Sequence, residues 1–338
     1  MQMITMKIPK FLTPWIDRFF TPEEMLLINI LQSGPMKKAS LVKHLAAENK
    51  LIMGTALDDF LQACWKRGVI NHLEDGRAML TDFHVRFDYW ALFEGWKDLP
   101  QKTRDQLNQW ELDHYINSHA GKALELKHKD TRSPNHIYPE YVLLHEVEAL
   151  FTKIEQFFLW PCNCRAMMGL CRQSEYTCIR FSNSRGIGWE ISREKALFIV
   201  NQANKRGLMQ SSEIGIDGDG KITGALCNCC SDCCFPHQLS QKLGVEHYWP
   251  LRRYVAQTPD KNCNGCGRCI GRCPFGIITA PTINDTMRSV DSGKENRLPP
   301  VIDMDHCRGC GVCSTGCPQD AIHMKQVRES VFEDQFKF

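Results

Sequence analysis

Seventeen of the 18 cysteines in this 338-residue chain lie between Cys162 and Cys317. Eight of them form two runs of identical spacing, Cys263-x2-Cys266-x2-Cys269-x3-Cys273-Pro274 and Cys307-x2-Cys310-x2-Cys313-x3-Cys317-Pro318. Thiolates are soft ligands, suited to iron–sulfur clusters or to tetrahedral zinc. A cubane cluster offers four iron corners. A tight loop with cysteines three apart brings thiolates to three of them, and the fourth ligand must arrive from elsewhere. Gly265, Gly267, Gly309 and Gly311 let the backbone fold closely and turn amide N–H groups toward sulfur. The duplicated spacing with a proline after each run favours iron–sulfur over a pair of zinc sites.

Each run carries the pattern of bacterial ferredoxins, and the resemblance is specific over residues 263–318. In ferredoxins the last cysteine of each run serves the other cluster. The resemblance therefore implies that Cys263, Cys266, Cys269 and Cys317 hold one 4Fe-4S cluster, and that Cys307, Cys310, Cys313 and Cys273 hold a second. Ile277, Ile278, Ala321 and Ile322 are expected to form the small apolar core of a ββαβ-type module.

The other nine cysteines are spaced differently. Cys162-x-Cys164-x6-Cys171-x6-Cys178 is followed some fifty residues on by Cys227, Cys229, Cys230, Cys233 and Cys234. Nine thiols suffice for two four-ligand sites with one left over. Neighbouring side chains in an extended backbone point to opposite sides, so Cys229 and Cys230, and likewise Cys233 and Cys234, are expected to split between two sites. Three chemistries stay open here: one or two further 4Fe-4S clusters, structural zinc, or reactive and disulfide-forming thiols. Arg165 either neutralises thiolate charge or lies on the surface. His237 and His306, both close to cysteines, are the histidines to test as ligands or proton carriers.

The elements that must position these groups read as an α+β chain of several domains. Residues 1–118 begin with Thr21-Pro22-Glu23-Glu24, an N-cap, a proline at the first helical position and a glutamate at N3, followed by an apolar run from Met25 to Leu31. Helices over about 38–47 and 55–67 follow, the latter burying Cys64, and Asp75-Gly76 marks a hairpin. Three helices and a hairpin resemble a winged helix-turn-helix module. DNA binding does not follow from it, because residues 1–118 carry 14 Lys plus Arg against 15 Asp plus Glu, with no basic stripe. A docking role is the simpler expectation. Trp90, Phe93, Trp96, Leu99, Leu107, Trp110 and Tyr115 read as an aromatic helical extension, and residues 119–139 as an exposed linker.

Residues 140–257 read as a helical, cysteine-rich middle region, with helices over 140–158 and 192–206, the second capped at Ser192 and stopped by Gly207. Gly215, Gly218, Gly220 and Gly224 suggest a turn-rich approach to the second cysteine series. Residues 258–338 read as the dicluster module with a C-terminal tail and a solvated loop over 281–300.

Composition narrows the class. Net charge is +2, 43% of residues are hydrophobic and 24% charged, an ordinary globular balance. Lys7, Pro9, Lys10, Pro14, Asp17 and Arg18 interrupt any apolar leader, and no apolar stretch approaches membrane-spanning length. A cytoplasmic setting is expected, where dense cysteine means metal rather than disulfides. There is no nucleotide-binding glycine loop, and Gly186-Ile187-Gly188 is too short to be one. The whole arrangement resembles multi-domain 4Fe-4S dicluster ferredoxin-type proteins of anaerobic bacteria and archaea. That resemblance implies single-electron relay between a reductase and a partner oxidoreductase, without membrane insertion or nucleic acid. Two other classes stay open: an iron–sulfur enzyme acting through the middle cysteines, and a redox-responsive winged-helix regulator.

Overall fold

The computed structural model describes residues 6–47, 55–129, 137–183, 185–259, 261–281 and 298–330. It forms two compact units, one of Met1–Glu111 with Ser184–Ile187, the other of Leu112–Asn183 with Gly188–Phe338. Among the described residues no helix is long and apolar enough to cross a membrane.

In the first unit α1 (Ile16–Phe19) leads to α2 (Pro22–Leu31). The Thr21 hydroxyl accepts from the Glu24 N–H at 3.2 Å and the Thr21 N–H donates to Glu24 Oε2 at 2.9 Å, a reciprocal cap that satisfies two otherwise orphaned donors. Strand β1 (Met36–Lys37), α3 (Lys38–Ala47), α4 (Thr55–Lys66), β2 (Ile70–His72) and β3 (Arg77–Leu80) follow, with the strands paired in the order β1-β3-β2. Cys64 is buried in α4. Helix α5 (Phe83–Phe93) packs an aromatic core in which Phe19, Phe83, Phe87, Trp90 and Trp96 are buried. Within that core Arg86 donates to the Phe19 carbonyl at 2.9 Å and to Glu94 at 2.6 Å, so its buried charge is paired.

Helix α6 runs unbroken from Gln101 to Lys129, and the boundary between the units falls inside it. The expected linker is therefore wrong over 119–129. Gly121 is tolerated within the helix, while Ala123 and Leu126 are buried along it. The rest of that expectation, over 130–136, lies outside the described residues, as do 282–297 of the expected solvated loop and the tail over 331–338.

The middle region corrects the expectation of a helical domain. Its centre is a six-stranded antiparallel sheet in the order β4-β8-β9-β6-β5-β7. The strands are β4 (Glu140–Tyr141), β5 (Phe157–Pro161), β6 (Tyr176–Arg180), β7 (Trp189–Ile191), β8 (Met209–Ile216) and β9 (Ile222–Cys229). The single helix expected over 140–158 resolves into β4, α7 (Leu144–Phe151) and the start of β5. A bonds-into-strand run of aromatics, Phe157-Phe158, favours the pleated surface over a further helical turn. Helix α9 (Arg193–Lys205) forms as expected, with the Ser192 hydroxyl accepting from the Lys195 N–H at 3.2 Å. One face of the sheet, through Ile179, Ile214 and Leu226, packs on Val147, Leu150 and Phe151 of α7 and Ala196 and Val200 of α9. That apolar core leaves the opposite face free to carry sulfur.

Beyond the sheet come α8 (Asn163–Met168) and α10 (Phe235–Leu243), then the terminal module: β10 (Tyr254–Ala256), α11 (Arg268–Arg272), β11 (Ile278–Thr279), β12 (Val301–Ile302), α12 (Val312–Thr315) and β13 (Met324–Gln326). Strand β10 pairs with β13 and β11 with β12. The order is thus βαββαβ rather than ββαβ, because each cysteine run brings its own strand, helix and strand.

Candidate metal centres

In the terminal module each cysteine run wraps into a loop that ends in a single helical turn. Gly309 and Gly311 lie at φ +77° and +73°. A Cβ at Gly309 would stand 2.2 Å from the Tyr254 carbonyl oxygen, and one at Gly311 would stand 2.5 Å from Leu143 Cδ2. Both positions favour glycine through backbone conformation, and at Gly309 the backbone carbonyl also closes the space. Cys263, Cys266, Cys269 and Cys317 line one cleft together with Pro259, Pro300 and Pro318. Cys310 lies beside Cys313, Cys307 and Cys273; burial first, then the negative charge of these neighbours, pushes its thiol up. The Ala256 N–H donates to Cys307 Sγ at 3.4 Å and the Ala321 N–H to Cys317 Sγ at 3.3 Å. Four thiols in each group, with backbone donors aimed at sulfur, are a donor set that fits a 4Fe-4S cluster.

The middle cysteines gather on the free face of the sheet. In the β8–β9 register Ser211 opposes Cys227, and in the β5–β6 register Trp160 opposes Cys178. Alternation puts Cys227 and Cys229 on the same face, away from Leu226 in the core. Cys178, Cys227, Cys229 and Cys234 neighbour one another in series, and among these thiols and their buried surroundings those of Cys178, Cys227 and Cys229 are pushed up. Cys162 and Cys164, at the start of α8, complete a group of six thiols around a cavity of about 300 Å³, which Cys230 of the group described next, Arg165, Arg180, Ser211 and Glu213 also line. The Cys162 thiol is pulled down by a hydrogen bond from Cys164, with Arg165 adding to the effect. Burial pushes the Glu213 carboxyl up, opposed by Arg180, whose guanidinium stacks 4.0 Å from the Trp160 ring.

The three remaining thiols form a second group. Cys171, Cys230 and Cys233 lie together with Asp232, and Cys171 Sγ is 3.8 Å from Cys230 Sγ. Cys229 and Cys230 therefore diverge, as do Cys233 and Cys234. Arg165 is buried between the two groups, donating to the Ser174 carbonyl at 2.6 Å, the Thr177 hydroxyl at 2.9 Å and the Asn228 carbonyl at 2.8 Å. Burial works against its charge, but Cys162 and Cys230 outweigh it and the guanidinium pKa is raised.

His237 is fully buried. Its Nδ1–H donates to the Cys230 carbonyl at 3.0 Å, leaving Nε2 to accept from the Tyr141 hydroxyl at 2.7 Å, and burial pulls its pKa down to about 4. His306 is exposed and bonds Asp303 at 2.8 Å. Tyr141, Met209, Cys229, Cys234 and Val312 form one buried cluster, against which Cys227 of the cavity and Cys310 of the terminal module both pack. Sequence reasoning missed Tyr141, Arg180, Ser211, Asp232 and Glu213. Asp232 was legible in the Cys230-x2-Cys233 loop, and Arg180 in its position two residues beyond Cys178 on a strand.

Residues 262–322 match the family described as 4Fe-4S dicluster domain. Among curated proteins no match to this chain is found. The terminal module is an iron–sulfur, ferredoxin-like module, and its match supports an electron-transfer role in general terms.

Proposed function

We propose that the chain is an iron–sulfur electron carrier, relaying single electrons between a reductase and a partner oxidoreductase. Cys263, Cys266, Cys269 and Cys317 would hold one 4Fe-4S cluster and Cys307, Cys310, Cys313 and Cys273 the second, with a further cluster in the six-thiol cavity. When bound, such clusters supply one-electron oxidation and reduction with little reorganisation. The observation that carries the reading is the packing of Cys310 and Cys227 against a single buried cluster around Tyr141. It brings a thiol of the terminal module and the thiols of the cavity to the same buried side chains, Met209 and Val312 among them. The first unit would dock the partner; its order of helix, strand, two helices and hairpin suits a winged-helix-like adaptor, and its charge balance disfavours nucleic acid.

Anaerobic purification with iron and acid-labile sulfide analysis, then electron paramagnetic resonance after dithionite, tests this. About twelve irons per chain and reducible clusters are expected. A colourless, resonance-silent protein would end the proposal, and about eight irons would remove the cluster from the cavity. A second reading, an iron–sulfur enzyme, draws on the half-buried Glu213 and Arg180 that line the cavity beside the six thiols. Catalytic turnover of a small oxidant with dithionite as the only donor, and no partner protein, would favour it.

A further inference from the structure

We propose that Cys171, Cys230, Cys233 and Asp232 hold one zinc ion in a tetrahedral site separate from every iron–sulfur ligand. The four ligand atoms all lie within 4.8 Å of one another. A tetrahedron built on zinc–sulfur bonds of about 2.3 Å has an edge of about 3.8 Å. The Cys171–Cys230 sulfur separation is 3.8 Å. Thiolates on separate corners of a cubane stand farther apart, because each reaches outward from its own iron. The spacing Cys230-x2-Cys233 is that of a zinc-binding turn, and a carboxylate is a good zinc ligand and a poor cluster ligand.

The surroundings suit a closed structural ion. Leu208 and Ala203 are buried against the group, and Met168 packs beside them. The turn that carries three of the ligands is held at its carbonyls by side chains of α10, with His237 donating to the Cys230 carbonyl and Gln238 Nε2 to the Asp232 carbonyl at 2.6 Å. Three thiolates and a carboxylate around a divalent ion leave an excess of negative charge, and Arg165 sits against it. The ion would pin the segment after α8 to the turn between β9 and α10. Those two segments adjoin α8, β9 and α10, which carry Cys164, Cys229 and Cys234 to the cavity, and Cys230 lines the cavity as well, so the zinc would form part of its wall.

The test is elemental analysis of the anaerobically purified full chain, with zinc X-ray absorption. About one zinc per chain is expected, with three sulfurs at about 2.3 Å and one oxygen at about 2.0 Å. Cys171→Ala should lose that zinc and keep its iron and sulfide. Should this variant fail to fold, Cys171→His serves instead, since zinc accepts an imidazole in place of a thiolate, and it should retain the metal. Zinc below about 0.2 per chain in the parent protein would overturn the proposal, as would mononuclear iron at the site or loss of about four irons in Cys171→Ala. A shell of four sulfurs without oxygen would remove Asp232 from the ligand set and so overturn the site as assigned.

Discussion

Cys229 and Cys230 are adjacent in the chain and belong to different thiol groups: Cys229 packs with Cys234 and Tyr141, whereas Cys230 lies 3.8 Å from Cys171. The cause is the end of strand β9. Cys229 is its last residue and keeps the alternation that Cys227 began, while Cys230 is the first residue of the turn and is free to face the other way. One peptide unit thus joins the two thiol groups, and His237 donates to the next carbonyl along the chain, that of Cys230.

Cys266→Ala should remove about four irons per chain and destabilise the terminal module, because ligation there is also folding energy. Iron and sulfide analysis with thermal unfolding checks it. Full iron content and unchanged reducibility would show the ligand assignment to be wrong.

Arg253 is buried with Glu146, donating to it at 2.9 and 3.2 Å, and lies 3.9 Å from Glu140. Arg253→Met leaves two buried carboxylates without their cation and should cost about 3–5 kcal/mol, read as a lowered urea midpoint. Adding Glu146→Leu should recover part of that loss, because the single variant's deficit is mostly the orphaned charge.

Gly309→Ala should cost about 2 kcal/mol or more, from the left-handed backbone and the contact with the Tyr254 carbonyl. Gly271→Ala is the control. Nothing lies within 4 Å of a Cβ there, and α11 gains a better helix former, so its melting temperature should hold or rise.

Burial, with Glu24 beside it, pushes the Cys64 thiol up to about 12. At pH 8 only about one molecule in ten thousand would carry the thiolate, so iodoacetamide should leave Cys64 unmodified in the folded protein and label it in urea. The folded pKa lies above the unfolded one, so this group's contribution to stability is complete below about pH 9 and is lost as pH rises toward 12. Rapid labelling of Cys64 by mass spectrometry under native conditions would contradict its burial.

Legibility in the sequence followed how local the cause was. The Thr21–Glu24 cap, the Ser192 cap and the two cysteine runs depend on residues three or four apart, and each forms where its pattern stands. The six-stranded sheet was missed because both its faces are occupied by unusual residues. In β8, Met209, Ser211 and Glu213 face the thiols, while Gln210 and Ser212 are buried on the other side, so no apolar–polar alternation marks the strand. Gln210 is satisfied by Asn204 at 2.8 Å and Asn228 at 2.9 Å, partners that only the folded register supplies. The grouping of the nine middle thiols depends on that same register, and residue spacing alone left it open.

The pairing of Glu146 with Arg253 spans 107 positions of sequence. During synthesis Glu140 of the edge strand and Glu146 of α7 would emerge long before their cation does, and Ser330, which donates to Glu140 at 2.6 Å, emerges later still. All six strands are made by Cys229, so a ribosome halted before Arg253 would carry a formed sheet beside two acids still without their cation.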